Sequence, residues 1–597
     1  MRLPRSARIA IVAAALIAGG AVALDCGWLV TAALLLLAAA ALVAGFYALV
    51  IGPARIPAGA VLTIRIADGL REDAPRSPLA QLRSHGSATL FQIRHALEAA
   101  ARDTRLGAII VEIASPGIGL ATAQELHDLL RSAVAAGRRV VAVASGDNLS
   151  LRDYLLAAGA GEIVVNPDTA MLMLGVSAGG VFLKNALVKL GVEAQTLQWK
   201  EYKGAAETFS RDSMSPELRE SLEAIVGDWN AIVAEKVAAA RGLGVERARE
   251  LLGAGFMSVP AACAAGLVDH AGYLEDLRDE LEPEGAAKKF ISLTRYLRHV
   301  NYHIGPGGRP RLALIHGLGP VVTGDAPLTG EFLSGERVAR DIRGAARDAK
   351  VRAIVFRVNS PGGSAVGSDL VWRAVRDARK RGKPVVVSMG DVAGSGGYYV
   401  AMGADAIVAE PATITGSIGV VYTKFSVPAL LERLGIGIET VKSAAISDVL
   451  SPARAMTDAE LAQINQTIGE VYANFTAKVA EGRNLDAATT EALARGRVWS
   501  GVAARARGLV DELGGLDRAI AIARLKAGIA DDEAHELTPY PPPGLLNLLS
   551  LNFSHAEASS ALSVGSAMLE IPPRWAPALF HLMTRSSGIL QLCRLWP

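Results

Sequence analysis

Beyond about residue 56 the chain alternates apolar runs of strand length with amphipathic stretches of helix length, and it runs through this pattern twice. LGAIIVEIASPGIG, from Leu106, and VRAIVFRVNSPGGS, from Val351, are each an apolar run ending in a Ser-Pro-Gly turn. In both, a helix-length segment follows and then a second apolar run, VVAVASGD from Val140 or VVVSMGD from Val385. Strands alternating with helices predict a parallel α/β arrangement in each half. At a separation of 244 residues, Gly390, Asp391, Tyr398, Gly403, Ala404, Ile407, Val408, Pro411, Gly419 and Val420 fall on identical residues from Gly146 to Val176. Both halves later carry GLVD, at Gly266 and Gly508. The reading is of two tandem homologous α/β domains, 56–300 and 308–535. The Gly- and Pro-rich segment NYHIGPGGRPR, 301–311, links them, and a Pro-rich joint and apolar tail occupy 536–597.

Residues 1–55 follow another pattern. Arg2, Arg5 and Arg8 precede an apolar run from Ile9 to Leu24; Asp25-Cys26-Gly27 interrupts it, and a second run from Trp28 to Ile51 is long enough to span a bilayer. At least one membrane helix is expected, the first run being a second span, part of one tilted helix, or an uncleaved signal-like segment. The arginines favour a cytoplasmic N-terminus. One span then places the two domains outside the cytoplasm, whereas a hairpin of two returns them to it.

Composition excludes several classes. With 61 basic and 59 acidic residues there is no electrostatic case for nucleic acid as a partner. Cys26, Cys263 and Cys593 are too dispersed for a zinc or dithiol site, and the reading calls for no metal and no cofactor.

The duplication locates the chemistry, because the halves differ at reactive positions. Ser395, in AGSGGYY, corresponds to Leu151, and Gly396 and Gly397 correspond to Arg152 and Asp153. The turn Pro361-Gly362-Gly363 becomes Pro116-Gly117-Ile118, and Ser417, in TGSIG, becomes Met173. Conversely Lys203, in EYK, corresponds to Ser447. The losses are complementary: a hydroxyl survives in one half and an amine in the other. A serine needs a base to take its proton, and a lysine can serve if burial lowers its pKa. Glycine turns offer unobstructed N–H groups to an oxyanion, here those of Gly363 and Gly396, with Gly362 allowing the close turn. Ser417 is placed to orient the lysine. Lys442 falls on Gln198 in the repeat and is not assigned as base; Lys200 reads as solvated and His316 as structural.

At SPGGS, AGSGGYY, TGSIG and EYK the chain resembles the long, two-domain form of the signal peptide peptidase A (protease IV) family of membrane-anchored Ser/Lys peptidases. The resemblance covers most of the chain. It implies a fold akin to Clp proteases and crotonases, a homotetramer, and cleavage of remnant signal peptides and other hydrophobic peptides at a bacterial inner membrane, with the domains on the periplasmic side. By matched motifs it implies Ser395 as nucleophile, Lys203 as general base and Ser417 as its orienting partner. For such a pair the Lys203 amine and the Ser395 hydroxyl are expected to approach to hydrogen-bond range, about 2.6 to 3.2 Å, or somewhat looser without substrate. Two alternatives remain at this level: a crotonase-like acyl-CoA enzyme and a catalytically silent membrane scaffold.

Overall fold

The computed structural model describes residues 37, 56–67, 69–73, 88–281, 289–303, 309–324, 331–530, 533 and 535–541. The two N-terminal apolar runs and nearly all of the C-terminal tail therefore lie outside the described residues. Among the described residues no helix is long and apolar enough to cross a membrane.

The doubled hydrophobic pattern becomes two parallel sheets. In the first half the strand order is Phe290–Ser292, Ala60–Ala67, Leu106–Ala114, Val140–Ala144, Glu162–Val165, His270–Ala271. Val140–Ala144 is buried at every position, as a strand covered on both faces must be. The second half repeats the order with Glu536–Pro539, Arg311–Leu318, Val351–Ser360, Val385–Gly394, Ala406–Ala409 and Glu512–Leu513. Beyond Met389 the strand Val385–Gly394 also pairs with Ile414–Gly416, which pairs in turn with Val498–Ser500.

Repeated side-chain bonds match the repeated sheets. Tyr154 and Tyr398 donate their hydroxyls to the carbonyls of Leu267 and Leu509. Asp269 and Asp511, the acids of the two GLVD motifs, each accept an N–H from the adjacent strand and pair with Arg241 and Arg483 at the ends of two 26-residue helices.

Two sequence boundaries shift. The segment read as linker is helical at its start, since Leu293–His303 forms a helix before the strand at Arg311. Glu536–Pro539 pairs with Arg311–Leu314, as Phe290–Ser292 pairs with Val61–Thr63, so the second sheet runs past residue 535. Both edge strands are short and partly polar, which obscures them in a hydropathy pattern.

The halves are fastened by polar contacts that neither could satisfy alone. Helix Leu120–Ala135 begins at Gly119, which has no side chain to cap it; Asp391 from the second half accepts instead from Thr122 N (2.9 Å) and Thr122 Oγ1 (2.6 Å). Arg357, fully buried on Val351–Ser360, donates to Glu72, to Glu125 (2.7 Å) and to Ser388. Glu125 also accepts from Leu516 N, and Trp229 donates to the carbonyl of Ala412. Most directly, Glu193–Trp199 of the first half pairs antiparallel with Val420–Ser426 of the second.

Candidate active site

That antiparallel ladder delivers Lys203. Trp199 ends its strand opposite Val420, and four residues later Lys203 lies in the turn before a short 3₁₀ segment, Gly204–Ala206. The turn is anchored from the second half: Tyr202 N donates to the Arg495 carbonyl, and Arg495 pairs with Glu201. Gly496 touches the lysine backbone so closely that a Cβ there would lie 2.5 Å from Lys203 N and 2.6 Å from Lys203 Cα. Arg497 covers the rings of Tyr202 and Trp499, and its carbonyl accepts from Ser417 N at 2.7 Å.

Lys203 is 3% exposed, and its Nζ donates to Ser417 Oγ (2.9 Å) and to the Ser417 carbonyl (2.7 Å). Burial alone pulls its pKa from 10.5 down to about 7; no carboxylate opposes the shift. A neutral amine has two N–H bonds and one lone pair. With both N–H bonds directed at Ser417, the lone pair is left to accept a proton.

Ser395 sits where Val385–Gly394 turns into helix Gly396–Ala401, at φ 54° and ψ −118°, a left-handed backbone that a serine adopts only under constraint. The constraint is the Ser395 N–H, which donates to the Gly416 carbonyl at 2.9 Å, next to Ser417. Gly362 and Gly363, at φ 100° and 145°, close against this turn. A Cβ on Gly362 would lie 2.6 Å from Gly396 N and 2.7 Å from Ser395 Cβ, and one on Gly396 would lie 3.1 Å from Gly363 N. The N–H groups of Gly363 and Gly396 find no acceptor among the described residues. They are two free donors at adjoining turns, beside a strained serine.

The structure thus joins Lys203 to Ser417, and it packs Gly362 and Gly396 against Ser395. Among the described residues the hydrogen bonds of Lys203 Nζ go to Ser417, and none joins it to Ser395, which leaves the looser approach of the expectation. Lys200 is half-exposed but ion-paired with Glu491 at 2.7 Å rather than free in solvent. Lys442 pairs with Asp448, away from these turns in its bonding, and His316 lies 3.2 Å from Asp73. Sequence reasoning missed the Arg495-Gly496-Arg497 loop. Its only signal was a glycine between two arginines in a loop, with nothing to link it to EYK.

Ser417→Ala removes one of the two acceptors that aim Lys203. The expected result is a fall in kcat of about 10- to 100-fold, with KM nearly unchanged, in the range of a lost positioning contact. Steady-state kinetics check it; an unchanged kcat would remove Ser417 from the site.

Comparison with known proteins gives the class: the chain matches the model for peptidase family S49 twice, over residues 132–288 and 377–530, and it belongs to that family. It is a serine peptidase. Among its relatives, "Serine protease SPPA, chloroplastic" from Arabidopsis thaliana is 31% identical over 80% of this chain and 70% of that protein. "Protease 4" from Salmonella typhi is 32% identical over 73% of this chain and 72% of its own length. "Protease 4" from Haemophilus influenzae is 33% identical over 64% of each. The acyl-CoA and non-catalytic readings of the sequence are set aside by this membership.

Proposed function

We propose that the chain is a membrane-anchored endopeptidase working through a Ser/Lys dyad on remnant signal peptides and other hydrophobic peptides. The observation that carries the dyad is Lys203, buried without a counter-charge and held by Ser417 beside the turn of Ser395. Ser395 Oγ attacks the scissile carbonyl carbon while its proton passes to the Lys203 lone pair. The oxyanion accepts from Gly363 N–H and Gly396 N–H, and Gly362 leaves room for that approach. Collapse breaks the C–N bond, and the Lys203 ammonium returns its proton to the departing amine. Lys203 then takes a proton from the water that attacks the acyl-enzyme, releasing the acid and restoring Ser395.

In this reading residues 56–300 supply the base and the domain from 308 supplies the nucleophile, with a fold akin to Clp proteases and crotonases. The site assembles within one chain. Trp28–Ile51, apolar and of spanning length, anchors it in a bacterial inner membrane with the domains on the periplasmic side, and the chain works as a homotetramer. That relatives named Protease 4 come from bacteria supports only the bacterial part of this setting.

The test is a pH–rate profile on a signal-peptide-like substrate. Only neutral Lys203 is a base, so kcat/KM should fall about tenfold per pH unit below about 7 and level off above it. A profile flat from pH 5 to pH 9, both about two units from that midpoint, would exclude Lys203 as the base.

A further inference from the structure

The two repeats share an arm whose halves are paired in one place and unpaired in another. In the first repeat, helix Lys184–Leu190 ends at left-handed Gly191 and leads into the strand Glu193–Trp199. In the second, helix Pro428–Arg433 is followed by left-handed Gly435. Leu190-Gly191 and Leu434-Gly435 superpose at the repeat separation of 244. By that separation GIETVKS, 437–443, is the counterpart of the strand 193–199, and VSAGGVF, 176–182, is the counterpart of the strand 420–426. Strands 193–199 and 420–426 pair with each other. Their two counterparts belong to no strand among the described residues. Every residue of 437–443 is exposed, as are five of the seven in 176–182, and Val181, Ile438 and Val441 are large apolar side chains in water.

We propose that 437–443 of one chain pairs antiparallel with 176–182 of a second copy, repeating between chains the ladder that joins the halves within one. The proposal rests on the homo-oligomer proposed above and adds where its copies meet and in what register. Within the chain Val420 faces Trp199 and Ser426 faces Glu193. Shifting both sides by the repeat separation of 244 puts Val176 opposite Ser443, Ala178 opposite Val441 and Val181 opposite Ile438. Open backbone with apolar side chains is a template for strand addition, and the second copy brings the matching sequence. The contact is heterologous, second repeat to first repeat, and the closed homotetramer proposed above requires that it close into a ring rather than run on as a filament. It also sets Ser447 near Met173 of the partner subunit, where Lys203 and Ser417 stand within the chain. The junction between chains has lost the base that the junction within a chain keeps.

The experiment uses two differently tagged full-length chains with Cys26, Cys263 and Cys593 replaced by serine. One carries Val181→Cys and the other Ile438→Cys, or Ala178→Cys and Val441→Cys. A short thiol cross-linker should join the two tags in each mixture, and should not join them when Val181→Cys is mixed with Leu525→Cys on helix Leu516–Lys526. Val441→Pro puts a residue that strand ladders disfavour into an exposed segment; it should reduce the particle mass to that of one chain with circular dichroism unchanged. An oligomer that gives no mixed cross-link, or that survives Val441→Pro, overturns the proposed register. Protection of the thiol in Val441→Cys only when lipid vesicles are added also overturns it, in favour of a membrane face. If light scattering finds the unmodified chain monomeric, the homo-oligomer falls with this contact, while the activities of the Ser395 and Lys203 variants still test the dyad.

Discussion

Lys203→Met is expected to lower peptide hydrolysis by on the order of 10⁴-fold or more, and Ser395→Ala by a similar factor. Methionine keeps the length and apolar character of the lysine stem but has no lone pair of comparable basicity. Because the two residues act as one unit, the double variant should be scarcely worse than either single one. The fold should not suffer. Lys203 has its pKa lowered to about 7 from 10.5, so between these values the unfolded chain binds more protons than the folded one, and stability rises with pH across that window. At and below pH 7 the native chain carries the full cost of a buried ammonium, which methionine does not have. Thermal unfolding of Lys203→Met near pH 6 should therefore be no lower than that of the unchanged chain. An inactive but stable protein is the expected pair of results; retained activity would exclude the dyad.

Arg357→Met is expected to give the largest loss of stability. Arg357 is buried between the halves, and its guanidinium answers Glu72 and Glu125, which come from the first half. Burial pushes the Glu72 carboxyl up, and Arg357 opposes that push. Glu410, also buried, is raised further by burial and by Glu125 beside it. Removing the buried guanidinium leaves Glu72 and Glu125 without the partner they share, a change that costs about 3–5 kcal/mol when a buried pair is broken from one side. Apparent Tm should drop by roughly 10 °C. Adding Glu72→Gln and Glu125→Gln to Arg357→Met should recover much of it, because the stranded charges are then gone. A Tm within about 1 °C of the unchanged chain would show that the cluster does not fasten the halves.

Much of the site could be read from the chain because a duplication is its own control. Leu151 against Ser395 and Ser447 against Lys203 are differences between positions that once matched, and they single out a hydroxyl and an amine without any knowledge of contacts. The sheets were legible for a similar reason, since strands buried on both faces are long apolar runs. What stayed hidden depends on residues far apart in sequence. Asp391 capping the helix at Gly119, Arg357 answering Glu72, and Gly496 making room for Lys203 leave no periodic trace. The edge strand at Glu536–Pro539 was missed because four half-buried, mixed residues look like a loop until their neighbour Arg311–Leu314 is known. The bond from Lys203 to Ser417 Oγ matches the orienting role read from TGSIG, whereas the second bond, to the Ser417 carbonyl, is a main-chain contact that no side-chain motif records.

The central claim is that Ser395 becomes a nucleophile only through Lys203. Acylation by a serine-directed inhibitor, followed by mass-spectrometric location of the adduct, tests it most directly. The account predicts a single adduct on Ser395, formed faster as pH rises through about 7 and not formed in Lys203→Met. An adduct on another residue, or undiminished labelling of Ser395 in Lys203→Met, would contradict it.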